Sequence, residues 1–115
     1  MKNTASVCVA IAMVVLAASS ASAGQGAADK GAAVYAAQKC SMCHSVAGKG
    51  GKLALDGAGS NLGKLSAADI TEWIVKPAEA AKKHASKAKP PMRAYASLPK
   101  EDLDNLVAYM VSLKK

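Results

Sequence analysis

Apolar positions return with helical spacing in two places along this chain. In SAADITEWIVK, residues 66–76, Ile70, Trp73 and Ile74 share one face of a helix, Ser66 and Asp69 stand three apart as a capping pair, and Pro77 stops it. In LPKEDLDNLVAYMVSL, residues 98–113, Leu103, Leu106, Val107, Met110 and Leu113 form a longer stripe. Pro99 and Glu101 suit the first turn of that helix, and Lys114 and Lys115 suit the negative end of its dipole. A third helix is expected over 27–38, AADKGAAVYAAQ, on the strength of its alanines. Between Ser45 and Lys64 lie six of the chain's nine glycines with no period of either kind, so that stretch reads as a loop wrapped around something. AEAAKKHASKAKPPM has helix formers but no apolar stripe, which limits it to an exposed turn or two before Pro90 and Pro91. No strand and no repeat is expected, which makes the class all-α.

The front of the chain is different in kind. Lys2 precedes an apolar run from Val7 to Ala18, and Ala21, Ser22 and Ala23 form a small-residue triplet before Gly24. That is the pattern of a cleaved export signal over 1–23, too short to span a bilayer. The remainder, 24–115, is the right size for one domain. Cys8 leaves with the signal, so two of the three cysteines stay.

Composition then sets a problem. The chain is 51% hydrophobic, but alanine supplies much of that, and Tyr35, Trp73, Tyr95 and Tyr109 are its aromatics in the absence of any phenylalanine. So few bulky side chains make a thin core, a deficit that small domains offset with a disulfide, metal or cofactor. The formal charge of +7, reduced by one when Lys2 leaves, suits acidic protein partners. In an exported protein it does not argue for nucleic acid.

The candidate chemistry lies in CSMCH, residues 40–44. Two thiols at this spacing serve a thiol-disulfide couple, half of a zinc site, or a c-type haem attachment. The redox couple belongs at a strand-helix junction, and no strands are expected here. Zinc needs four ligands, and beyond Cys40, Cys43 and His44 the chain offers only His84, set among lysines. Haem attachment accounts for more. Cys40 and Cys43 can form thioethers with the porphyrin vinyl groups, His44 is carried under the iron, and a covalent porphyrin is the large apolar body that the core lacks.

For the sixth iron position, Met42 is held within the attachment turn and Met110 sits on a core stripe. Met92 lies on a proline-stiffened loop between the later helices and is the candidate ligand; His84 is the alternative.

With these features the chain resembles the small monohaem class I c-type cytochromes, of which the bacterial members are periplasmic. The resemblance runs over residues 27–113. GAAVYAAQKCSMCH looks like the family's first helix and haem motif, in which Gly31 and Tyr35 would meet Leu106 and Tyr109 of the last helix. PPMRAYASLPKEDLDNLVAYMVSL looks like its sixth-ligand loop and final helix, with Met92 in the ligand position. The family's proline, whose carbonyl accepts the histidine ring N–H, has its nearest match in GSNL, with Ser60 in its place. A carbonyl survives that change. The loop over 78–89 is longer and more basic than in the smallest relatives.

The resemblance implies a cytochrome c-like fold of three main helices around one haem c, bound through Cys40 and Cys43 with His44 and Met92 as axial ligands. It implies a periplasmic, monomeric electron carrier, not an enzyme, without stable membrane insertion or nucleic-acid binding. Its partners would be acidic oxidases, reductases or dehydrogenases, approached through Lys39, Lys49, Lys52, Lys82, Lys83, Lys87 and Lys89. Trp73 would either pack in the core or donate to a haem propionate. The rival functions are a haem protein with an open sixth site, acting as sensor or catalyst, and a cytochrome subunit of a larger oxidoreductase.

Overall fold

The computed structural model describes residues 23–58, 60–87 and 91–114. Most of the expected signal segment, and also Gly59, Lys89 and Pro90, lie outside these described residues. Four α-helices are present among them: α1 (Ala23–Ala37), α2 (Ala67–Val75), α3 (Pro77–Lys83) and α4 (Lys100–Ser112). None is long and apolar enough to cross a membrane.

The frame is the crossing of α1 and α4, the most extensively packed pair of elements. Gly31 makes this approach possible. A Cβ there would overlap the Asn105 carbonyl and lie 2.6 Å from Cβ of Tyr109, so only the missing side chain allows the two backbones to meet. One turn along, Tyr35 and Tyr109 meet edge to face with centroids 5.5 Å apart. The expected contact of Gly31 and Tyr35 with the last helix is therefore present.

α2 begins with a complete capping box. The Asp69 N–H donates to Ser66 Oγ (3.1 Å) and the Ser66 N–H to Asp69 Oδ2 (3.2 Å). Its buried side chains are Ile70 and Ile74. Pro77, expected to stop this helix, also starts α3, where a missing N–H costs nothing. That second helix revises the expectation of an exposed turn. Pro77 and Ala80 are buried beneath it, because alanine can bury a helix face without any apolar stripe to announce it.

Strands are the larger correction. The glycine-rich stretch forms a three-stranded sheet in the order β2-β1-β3, from β1 (His44–Val46), β2 (Lys49–Gly50) and β3 (Leu53–Ala54). β1 and β2 form an antiparallel hairpin, Ser45 opposite Gly50. Its turn places Ala47 and Gly48 at φ 52° and 76°, the paired positive angles that match the twist of a tight hairpin. The Asp56 carboxylate steadies the strained alanine by accepting its N–H at 2.8 Å. β3 runs parallel to β1, with His44 opposite Leu53.

The core is small. Tyr35, Leu62, Ile70, Ile74, Leu106 and Met110 form its buried cluster, and a shell of half-buried side chains including Cys40, Val46, Leu55, Met92, Tyr95 and Leu98 packs against it. No large side chain among the described residues is fully buried. The thin core expected from composition is what the chain builds.

Candidate functional site

The attachment peptide is set by the end of α1. Lys39 takes a left-handed conformation (φ 57°, ψ 35°) that ends the helix, and Cys40–Met42 follow as one tight 3-10 turn closed by the Cys43 N–H on the Cys40 carbonyl at 3.2 Å. This turn brings the two cysteines and His44 onto a short rigid segment. Cys40 is half-buried against the core cluster and Cys43 is exposed. Burial raises the Cys40 pKa, against a smaller opposing effect of a backbone hydrogen bond.

The sheet then fixes the motif from its other side. The Gly51 N–H donates to the His44 carbonyl at 2.9 Å and the Leu53 N–H to the Cys43 carbonyl at 3.0 Å. A Cβ on Gly51 would sit 2.7 Å from Cα of Cys43 and closer still to its carbonyl group. Glycine is required here because backbone lies directly on backbone.

His44 is held at both ends. Its carbonyl also accepts the Tyr35 hydroxyl at 3.2 Å, and its ring Nδ1 lies 3.2 Å from the Leu53 carbonyl. A carbonyl can only accept, so Nδ1 carries the proton and Nε2 presents its lone pair. Burial lowers the His44 pKa, partly countered by that same carbonyl, and this favours the neutral imidazole that binds metals. The acceptor is a correction. The resemblance offered the Ser60 carbonyl as the nearest match, whereas the ring meets the Leu53 carbonyl, and the Ser60 hydroxyl accepts the Leu62 N–H at 3.0 Å to start a turn. Leu53, Gly51 and Asp56 were missed by the sequence reading, although the adjacent pair Gly50 and Gly51 was the available signal.

Among the other candidates, Met92 is half-buried against the same apolar cluster as Cys40, and Met110 is buried within it. Met42 is 74% exposed and points its surface to solvent. His84 is placed elsewhere, stacked on Trp73 with centroids 6.0 Å apart and 3.7 Å from Asp69. This contact also places Trp73, which is only partly buried and stands outside the core cluster. Lys39, Lys49, Lys52, Lys82 and Lys87 are exposed. Lys83 is different, since its ammonium bridges Asp69 at 3.0 Å and Glu72 at 3.3 Å.

No three His, Cys, Asp or Glu side chains converge on a cation-sized position among the described residues. A porphyrin suits what is present: two free thiols on one turn, a histidine with its proton committed away from Nε2, and a core with a half-covered apolar shell. Comparisons with curated proteins and with solved structures returned no match. The sequence model of one family, described as Cytochrome c, matches residues 28–114. The chain belongs to the cytochrome c family, haem-based electron carriers whose c-type haem is attached through cysteines, here Cys40 and Cys43.

Proposed function

We propose that this protein is an exported, periplasmic electron carrier with His44 and Met92 as the axial ligands of its haem. The observation that carries the reading is the commitment of the His44 ring proton to the Leu53 carbonyl, which leaves Nε2 as a donor of fixed tautomer. Met92 supports it by packing against the same cluster as Cys40 from a separate loop.

When bound, the haem supplies the one-electron couple between Fe(III) and Fe(II). The protein's share of the work is to hold the group and limit rearrangement. Cys40 and Cys43 would anchor it covalently, and the strand register opposite Leu53 would keep the imidazole from turning. A thioether sulfur from Met92 would favour the reduced state and raise the potential. Electrons would leave near the exposed Cys43, where Lys39 just before the motif, Lys49 in β2 and Lys52 in the link to β3 would steer acidic partners. Lys83 contributes less to such a field, because Asp69 and Glu72 already neutralise it.

The test is the ferric absorption spectrum of the mature protein, made in a host able to attach haem, in wild type and Met92→Ala. The far-red charge-transfer band of methionine-ligated iron is expected in the first and absent from the second. A wild type without this band, or one whose untreated ferrous form binds carbon monoxide readily, would move the open-site reading ahead.

A further inference from the structure

We propose that Tyr95 is a positioning residue that locks the Met92 loop onto the haem-attachment peptide, an inference that rests on Met92 being the sixth ligand.

Tyr95 lies three residues beyond Met92, and each of its polar groups is hydrogen-bonded. Its hydroxyl donates to the Gln38 carbonyl at 3.3 Å, across 57 positions of sequence. Its N–H donates to the Ile74 carbonyl of α2 at 2.9 Å, and its own carbonyl accepts the Leu98 N–H at 3.2 Å. The ring is half-buried against the core cluster and carries the Arg93 guanidinium at 5.8 Å from its centroid. A phenol is protonated at neutral pH and burial raises the Tyr95 pKa further, so the hydroxyl is a donor.

The choice of acceptor gives the contact its meaning. Gln38 follows the last residue of α1 and stands two positions before Cys40, so its carbonyl is one that the helix leaves without an internal partner. Tyr95 therefore ties the loop bearing one candidate ligand to the backbone bearing the other. Beside this tie the seam is open: a cavity of about 260 Å³ is lined by Gln38, Arg93, Tyr95, Leu98 and Pro99. The hydroxyl bond is a direct link between the two segments.

Tyr95→Phe tests this on the haem-loaded protein, because it keeps the ring, its burial and the arginine contact while deleting the link. Titration with imidazole, followed by loss of the far-red band, reads how easily Met92 is displaced. The apparent imidazole affinity is expected to rise roughly fivefold, the effect of one hydrogen bond. Ser112→Ala, which deletes a hydroxyl bond to the Tyr109 carbonyl at the exposed end of α4, is expected to leave it unchanged. Equal affinities in Tyr95→Phe and wild type would overturn the lock and leave the axial pair intact; a wild type lacking the band would overturn both. Should Tyr95→Phe fail to load haem, the wild type alone still decides. Coupling is reciprocal, so displacement of Met92 by imidazole must speed hydrogen exchange of the Tyr95 amide, and unchanged exchange overturns the lock.

Discussion

The Nδ1 of His44 faces the carbonyl of Leu53 at 3.2 Å, nine positions further along the chain. The two residues sit opposite each other in a parallel strand pair, so the ring's partner is a consequence of strand register. A slip of that register would remove it. The register in turn depends on Gly51, whose backbone rests on Cys43.

Gly51→Ala should therefore act on the site from outside it. The added methyl meets the Cys43 backbone, which cannot yield as a flexible side chain would, and overpacking of this kind costs about 1–3 kcal/mol. Denaturant midpoints would record the loss. Proton NMR would show faster solvent exchange of the His44 ring N–H, whereas a ring N–H with unchanged exchange would contradict the link between glycine and histidine.

At the helix crossing, Gly31→Ala places a methyl group on the Asn105 carbonyl and against Tyr109. α1 and α4 must separate, and the edge-to-face pair of Tyr35 and Tyr109 must separate with them. The expected loss is about 2 kcal/mol or more. Thermal unfolding measures it, and near-ultraviolet circular dichroism should show the altered tyrosine environment.

Ala47→Asn is expected to stabilise. Ala47 occupies φ 52° ahead of Gly48 in the β1-β2 turn, an angle that costs an alanine roughly 1 kcal/mol and that asparagine tolerates. The bond to Asp56 comes from the backbone N–H and survives the change. A rise of the unfolding midpoint is expected, and no rise in Ala47→Asn would count against the hairpin geometry.

The acid limb of the stability profile should carry the mark of Asp69. Its pKa is lowered to about 2, first by the hydrogen bond from Lys83 and then by those from the Ser66 backbone and hydroxyl. An unfolded aspartate titrates near 3.9. Between those values the unfolded chain binds more protons, so this contribution is present above about pH 4 and is lost as pH falls toward 2. Asp69→Asn should flatten melting temperature against pH in that window and leave the profile above pH 5 nearly parallel to wild type.

The parts legible in sequence were those set by local chemistry. Ser66 and Asp69 capped α2 as expected, the stripe through Leu106 and Met110 became the buried face of α4, and Gly31 stood where a helix crossing needed it. Each of these follows from spacing within a few turns of chain. CSMCH, with the motif's chemistry and the thin core, was enough to indicate a covalent haem before any coordinate.

The rest depended on backbone from distant positions, which carries no side-chain signature. Leu53 serves through its carbonyl, so nothing about leucine could mark it as the partner of His44 in place of Ser60. The strands were hidden because two or three residues are too few to show an alternation, and their pairing rests on glycines that permit contact without specifying it. His84, a possible ligand by residue type, went to Trp73 and Asp69 because α3 carries it to the face of α2. Local spacing along the chain set the attachment motif and the helices that frame it. Which backbone groups hold that motif in place follows from the fold, because main-chain hydrogen bonds are available to every residue and long-range packing assigns them.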